Sequence, residues 1–431
     1  SYLDLDLGDV PESVLNFAKH NGTLWLTNTS LFASTYGVNT GSNVVYANIT
    51  NFSSIFAPLG NVGIINCGNL TVANSQYNLT RNLTGVQSGR SMCIDVQVDN
   101  VTLDCAGYGI NGTTGGTTYG VYINTHDNVT IKNCNVRNYS TGISLVSANN
   151  NAFTNNTLNS NKVQGMYFDD ASNNAITNNT AYGNTQYGMF IAYSSNNNVF
   201  TNNTANSNNQ MGIYQDDCNN GTFTNNTANS NVNYGFFISG VGNNTLTNNT
   251  VYNNSQGFYL YQSSNGNLTN NNASFNSIWD FLSETGSNNK ITNLTTNDTT
   301  SSFTYSGDVY LKSATGAGLA DPAKYTNISH YLNITGTSWM YINMSYKDAD
   351  IPASITDNST IKIWKYSSSQ WWNNTYVGTP DTVDTTNKYV YANITNFSSI
   401  YAPLGGTNHL PNAPTPFYPV NSTSTDKRKP Y

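Results

Sequence analysis

Two acidic pairs, Asp169-Asp170 and Asp216-Asp217, have the residue type and spacing that catalysis could use in this 431-residue chain. Each pair follows a glycine, Gly165 or Gly212, by four and five residues, and those glycines head units two repeats apart. If one repeat stacks on the next at ~4.8 Å, the pairs lie about 9.6 Å from each other. Inverting glycoside hydrolysis holds its carboxylates ~6.5–9.5 Å apart to admit a water, so distance alone allows a hydrolase. The repeat between them offers only Ala192 and Tyr193 in the same columns. No cation is therefore at hand for an acidic substrate or for charge developing in a transition state. A solvated corner is the preferred reading of all four aspartates. Carboxylates ~9.6 Å apart cannot share a calcium ion that holds its oxygens at ~2.3–2.6 Å, although one pair with backbone carbonyls could form a weak site.

Other reactive residues are scattered. His20, His126, His330 and His409 fall in different parts of the chain, so no imidazole cluster for a transition metal is expected. No Ser-His-Asp order, phosphate loop or dinucleotide fingerprint occurs, and no cofactor is expected. Cys218 shares a column with Ala148, Ala171, Ser194, Val241 and Ser263, which marks it as a buried small residue rather than a reactive thiol. Cys67, Cys93, Cys105 and Cys134 lie in one stretch. Pairs among them suit an oxidising compartment, with three connectivities possible.

The elements that would position these residues come from a repeat of about 22–24 residues, a period that signals a solenoid. Units begin at Gly120, Gly142, Gly165, Gly188, Gly212, Gly235 and Gly257, with a degenerate one at Asp280. Two residues after each glycine come Tyr122, Ser144, Tyr167, Phe190, Tyr214, Phe237 and Tyr259. Eight after it come Asn128, Asn150, Asn173, Asn196, Asn220, Asn243 and Asn265. Short alternating strands between Asn, Gly and Ser corners fit three strands and three turns per unit, a parallel β-helix. Asparagine tolerates left-handed backbone at tight corners, and stacked asparagines can form a hydrogen-bonded ladder. The unit glycine is expected to supply a second corner. The aromatic column is expected to face inward as a core stack, with a sugar-stacking platform as the alternative.

The runs CGNLTVANSQYNLT, SMCIDVQVDNVTLDCAGYGING, YGVYINTHDNVTIKNCNV and NNAFTNNT resemble archaeal cell-surface proteins with right-handed β-helix repeats of the NosD-like and carbohydrate-binding type. The resemblance covers about Asn66 to Thr300. It implies right-handed coils, an N-terminal cap, and disulfides Cys67–Cys93 and Cys105–Cys134. Gln215-Asp216-Asp217-Cys218 also resembles the acidic motif of polygalacturonase-type glycosidases, but that family's Gly-His-Gly and Arg-x-Lys clamp are absent.

A longer repeat flanks the solenoid: VVYANITNFSSIFAPLG (44–60) recurs as YVYANITNFSSIYAPLG (389–405). The match extends from Asp9–Val14 to Asp350–Ile355 and equates Thr23-Leu24-Trp25 with Lys362-Ile363-Trp364. The expected organisation is all-β: a partial β-sandwich over 1–60, a parallel β-helix over 61–300, a complete Ig-like β-sandwich over 301–405, and a linker with the start of a further domain over 406–431. The N-terminal module would be completed by chain preceding it or by a neighbouring subunit.

Charged residues make up 9% of the chain, against roughly 25% in ordinary domains. Net charge is −7 and no basic stripe occurs, so nucleic acid is not an expected partner. No apolar run is long enough to span a membrane. About thirty Asn-x-Ser/Thr sequons occur. The glycan acceptor candidates are Asn21, Asn28, Asn48, Asn69, Asn78, Asn82, Asn111, Asn138, Asn253, Asn297, Asn327, Asn333, Asn358, Asn373 and Asn393. The expected function is an extracellular, glycosylated subunit of an archaeal surface layer, sheath or filament, partnered by its own copies and without catalysis. An adhesin or binder of surface polysaccharide is the alternative, and a polysaccharide-degrading enzyme ranks third.

Overall fold

The computed structural model describes residues 63–407 apart from 114–117, 241, 317–318, 374–376 and 396, and before them the backbone of five strands. Ten parallel strands, from Gly68–Leu70 through Tyr119–Asn124 and Met211–Asp216 to Trp279–Glu284, form a long-strand sheet. Two more parallel stacks close each coil. One runs through Thr130–Lys132, Ala175–Thr177 and Thr222–Thr224, the other through Asn135–Arg137, Thr180–Tyr182 and Thr204–Asn206.

Three-residue strands alternate in and out, so each contributes one core residue per coil. Leu103, Ile131, Phe153, Ile176, Phe200, Phe223, Leu246, Leu268 and Ile291 stack on one wall. The six-residue strands contribute two, such as Met166 and Phe168 or Phe236 and Ile238, all buried. Phe200 and Phe223 stack with centroids 5.0 Å apart.

At the corners, a left-handed residue is followed by an inward asparagine. Asn155, Asn178, Asn202, Asn225 and Asn248 have φ of 56–57° and are exposed. Asn156, Asn179, Asn203, Asn226 and Asn249, one residue on, are buried. Asn179 shows the repeated bonding. Its Nδ2 donates to the Phe153 carbonyl one coil back (2.9 Å) and to Asn203 Oδ1 one coil on (3.1 Å), while its backbone N–H donates to the same Oδ1 (2.9 Å). A parallel ladder runs Asn161, Asn184, Asn208, Asn231, Asn254, Asn276, and ends on Asp280, whose Oδ1 accepts from Asn276 at 2.9 Å. A third runs through Asn151, Asn174 and Asn198. The stacked asparagines expected from the sequence are therefore the residues after the corner column. Asn150, Asn173 and Asn220 themselves take the left-handed backbone, as does Asn197 in place of Asn196.

The unit glycines do not make corners. None of them lies among the positive-φ residues; each is the second residue of a long strand and faces inward. A Cβ on Gly142 would sit 2.5 Å from the Gly165 carbonyl oxygen, and one on Gly188 would sit 2.8 Å from Asn208 Nδ2. Space beneath the asparagine ladder, not backbone freedom, requires glycine here.

Disulfides join Cys67 to Cys93 and Cys105 to Cys134 across the first coils. At the other end strand direction reverses. Val309–Ser313 pairs antiparallel with Trp279–Glu284, and Thr299–Ser306 with Lys290–Thr296. Both sheets then run on through Leu332–Gly336, Trp339–Ser345, Tyr389–Ile394 and Ser399–Gly406, and share one hydrophobic core with the coils. The C-terminal strands thus extend the solenoid walls, and Tyr331, Trp364, Trp371, Ala402 and Leu404 among them form a smaller hydrophobic cluster of their own. The N-terminal strands repeat part of this pattern. Leu15–His20 pairs with Ile55–Ile64 as Lys362–Ser367 pairs with Ser399–Gly406. His20 faces Trp25 as Tyr366 faces Trp371. Strand pairing therefore equates Trp25 with Trp371, not with Trp364 as the sequence match had it.

Replacing Asn203 with alanine removes the acceptor for two Asn179 donors and the donor for the Ile176 carbonyl (2.8 Å) and Asn226. A loss of about 3 kcal/mol or more in urea unfolding is expected. Asn202→Gly, one residue away at φ 56°, should change stability by only a few tenths of a kcal/mol. Equal losses at the two positions would show that the ladder is not what holds the coils.

Candidate functional site

In each six-residue strand the first, fourth and sixth residues face out of the long-strand sheet. The fourth position brings together Asp95, Tyr122, Ser144, Tyr167, Phe190, Tyr214, Phe237, Tyr259, Leu282 and Tyr310 in successive rungs. The aromatic column expected to line the core therefore lies on the outside, half-buried; Val121, Met189, Phe236 and their equivalents fill the core in its place. Tyr119, Tyr187, Tyr234 and Trp279 flank it from the first position. From Tyr122 to Tyr310 the strip covers nine rungs, whose eight spacings of ~4.8 Å span about 38 Å.

The rings stack on one another. Phe190 and Tyr214 are 4.6 Å apart and 4° from parallel, Tyr214 and Phe237 are 5.0 Å and 14°, and Phe237 and Tyr259 are 4.7 Å and 23°. Ring faces in mid-strip are thus occupied by neighbours, and the strip presents ring edges and phenol oxygens. Where the column breaks at Ser144 and Leu282, these smaller side chains are buried on the same face.

Asp169, Asp216 and Glu284 occupy the sixth position beside the rings. Tyr167 donates to Asp169 Oδ2 (3.3 Å), and Tyr259 and Tyr310 both donate to Glu284. Burial first, then the adjacent carboxylate, pushes the Tyr167, Tyr214 and Tyr259 phenols well above their ordinary range. Burial and Glu284 push Tyr310 up to about 12. At one end, Arg90 pairs with Asp95 at 2.5 Å.

The four candidate aspartates divide. Asp169 and Asp216 belong to this face, two rungs or about 9.6 Å apart. Asp170 and Asp217 take φ of 51° and 52° at the following corner. Tyr193, between them, is 58% exposed. His126 lies 3.0 Å from Asp99, and His330 lies 3.0 Å from Asp350 in a cleft of about 620 Å³ near the C-terminal strands. His20 has backbone only, and His409 lies outside the described residues. Among the described residues no group of three or more His, Cys, Asp or Glu is placed to hold a metal ion. Cys218 is buried, with Ser195 rather than Ser194 in the same corner. Of the glycan candidates, Asn69, Asn82, Asn138 and Asn253 are exposed. Asn78, Asn111, Asn297, Asn327, Asn333, Asn358, Asn373 and Asn393 are half-buried, Asn48 has backbone only, and Asn21 and Asn28 lie outside the described residues.

Coils, walls and corners of this kind define a β-solenoid. The family described as right handed beta helix region matches residues 86–216, 119–278 and 206–315, together more than half of the chain. The chain belongs to that family. A comparison with curated proteins finds no match. Similar solved structures include the periplasmic alginate epimerase AlgG, at 16% identity over 50% of this chain and 60% of that one, TM-score 0.40. The A-module of the mannuronan C-5 epimerase AlgE6 from Azotobacter vinelandii is 19% identical over 54% and 70%, TM-score 0.37. An alginate lyase from a Paenibacillus species is 14% identical over 55% and 96%, TM-score 0.38. The chain thus spans about three fifths of the first of these, and the likeness is one of fold. These neighbours correct the expectation that the chain is not an enzyme. That expectation rested on a missing glycosidase clamp, and two epimerases and a lyase share the coil architecture. Among the described residues no helix is long and apolar enough to cross a membrane.

Two titrations check these surroundings. The raised phenols stay protonated in the folded chain while unfolded tyrosines ionise near pH 10. Their contribution to stability is therefore complete below about pH 10 and falls as pH rises further. Denaturation midpoints should drop between about pH 10 and 12, before the strip's own tyrosinate absorbance develops. Burial pushes the Cys218 thiol up to about 12, so a thiol reagent at neutral pH should find it unreactive in the native protein and reactive in denaturant.

Proposed function

We propose that the outer face of the long-strand sheet binds a polysaccharide laid along the solenoid axis, outside the cell. The outward turn of the aromatic column carries this reading. An inward column would have left the solenoid a scaffold, whereas an outward one gives a straight strip of rings and phenols, with carboxylates beside the rungs of Tyr167, Tyr214 and Leu282. Carboxylates accept hydrogen bonds from sugar hydroxyls, and aromatic edges cover their apolar faces. The two disulfides suit an exported protein. The fold's neighbours include proteins named for alginate, which supports a polysaccharide ligand in general terms.

A subunit of a surface layer, sheath or filament, of the archaeal kind that the sequence resembles, is a second reading. The asparagine ladders favour it, since they make the coils a stiff rod. Electron microscopy of the native protein tests it by the presence or absence of ordered polymers.

Binding is tested by affinity electrophoresis and calorimetry against a panel of soluble polysaccharides. Tyr214→Ala and Phe237→Ala should each weaken binding by about tenfold, since a packed aromatic contact contributes ~0.5–1.5 kcal/mol beyond its area. Binding that both variants leave intact would place the ligand elsewhere. Analysis of the recovered polymer in the same incubation shows whether it has been cut or epimerised.

A further inference from the structure

We infer that the polysaccharide bound on this face is an uncharged one. This rests on the binding reading above and adds the class of polymer. Residues 163–289, which are 127 in a row (289 − 163 + 1), contain no lysine, arginine or histidine. They supply every rung of the strip from Tyr167 to Leu282, about 24 Å of it. Within that length the outward residues include Asp169, Asp216 and Glu284, with Asp170 and Asp217 at the adjoining corners.

Cations occur only beyond this window, and two of those flanking the strip have partners. Arg90 is paired with Asp95, and Lys312 Nζ donates to the Ser277 carbonyl at 2.5 Å. Lys162 sits at the corner before the window. A polyuronate would bring a negative charge with each sugar past fixed carboxylates and meet no positive group. The Debye length in physiological salt is ~8 Å, so a cation at either end of a ~24 Å run is screened from its middle. Like-charge juxtaposition of this kind selects against a partner.

What the window offers suits hydroxyls. Asp169 accepts from Tyr167 and Glu284 from Tyr259 and Tyr310, and both carboxylates keep further lone pairs for sugar O–H donors. Phe190, Tyr214, Phe237 and Tyr259 stack face to face, so their edges point outward, and the edge is the positive rim of the ring quadrupole. A hydroxyl oxygen meets that rim favourably without needing a charged partner.

The test compares glucomannan, xyloglucan and dextran with alginate and polygalacturonate, at low and at half-molar sodium chloride, by calorimetry on the whole chain. Binding is expected to at least one neutral polymer, with affinity changing less than about twofold between the salts, and to neither acidic one. Asp169→Asn combined with Asp216→Asn should weaken neutral-polymer binding by about tenfold, because two acceptors lose charge. Binding confined to alginate or polygalacturonate, with or without calcium, overturns the inference while leaving the binding face in place. If no polymer binds and the protein instead self-associates as concentration rises, the binding reading fails and the inference fails with it.

Discussion

An asparagine amide shut away from water carries two donors and an acceptor oxygen, and each left unpaired costs about 1–3 kcal/mol. The corners of this solenoid answer that demand by translation along the axis. Asn179 Nδ2 donates to the carbonyl of Phe153 below and to Asn203 Oδ1 above, and its Oδ1 accepts from the backbone N–H and Nδ2 of Asn156 below. Every coil is both template and partner for the next, as in other stacked architectures whose repeats contact only their neighbours. The ladder also needs defined ends, which explains why Asp280 terminates one of them by accepting from Asn276 with Oδ1 and from the Ser313 backbone at 2.9 Å with Oδ2. Burial pushes the Asp280 carboxyl up, consistent with a site built for hydrogen bonds rather than charge.

The same spacing shapes the outside. Rungs ~4.8 Å apart place side chains of one column at the distance at which aromatic rings touch. Phe190, Tyr214, Phe237 and Tyr259 stack because the interior holds their strands in register. A slip of one residue in any strand would send its aromatic into the core and Met189 or Ile213 out. The inner ladder and the outer strip are two consequences of one register, and a flexible sheet would not keep rings within 23° of parallel over three successive pairs.

The repeat length, the three-strand coil and the left-handed corners are legible because they depend on residue type at a fixed interval. Which face a column takes is harder. Met166, Tyr167 and Phe168 are all apolar, so composition does not say which of them turns inward. The residue that decides parity is Asp169, two beyond Tyr167 and therefore on the same face, and Asp216 does the same for Tyr214. Reading the aspartates as corner residues concealed that signal. The unit glycine misled for a related reason. Glycine marks a turn or a close approach with equal force, and only the carbonyl of the coil above shows that Gly142 serves the second. The match of Trp25 to Trp364 failed because a shared tryptophan outweighed strand pairing, which equates it with Trp371.

The third ladder is interrupted twice, at Gly221 and at Gly266. At Gly221 the inward asparagine is missing, and a Cβ there would lie 2.4 Å from Gln215 Oε1. Gln215 is the buried polar residue where neighbouring coils place Ile191 and Ile238. Its Nε2 donates to the Cys218 carbonyl (2.7 Å), as Asn198 Nδ2 donates to the Ser195 carbonyl, and also to Asn244 Oδ1 (2.9 Å). A glutamine in a hydrophobic column and a glycine in an asparagine column are each anomalous alone; together they keep one of the corner bonds, while Asn244 Nδ2 stays buried without a partner. The stack therefore tolerates a local loss of corner bonding, which a neighbouring side chain makes good only in part. These contacts are made inside the coil, so the outward positions can vary in chemistry without disturbing them, and it is there, along the aromatic strip, that the polysaccharide preference proposed above would be set.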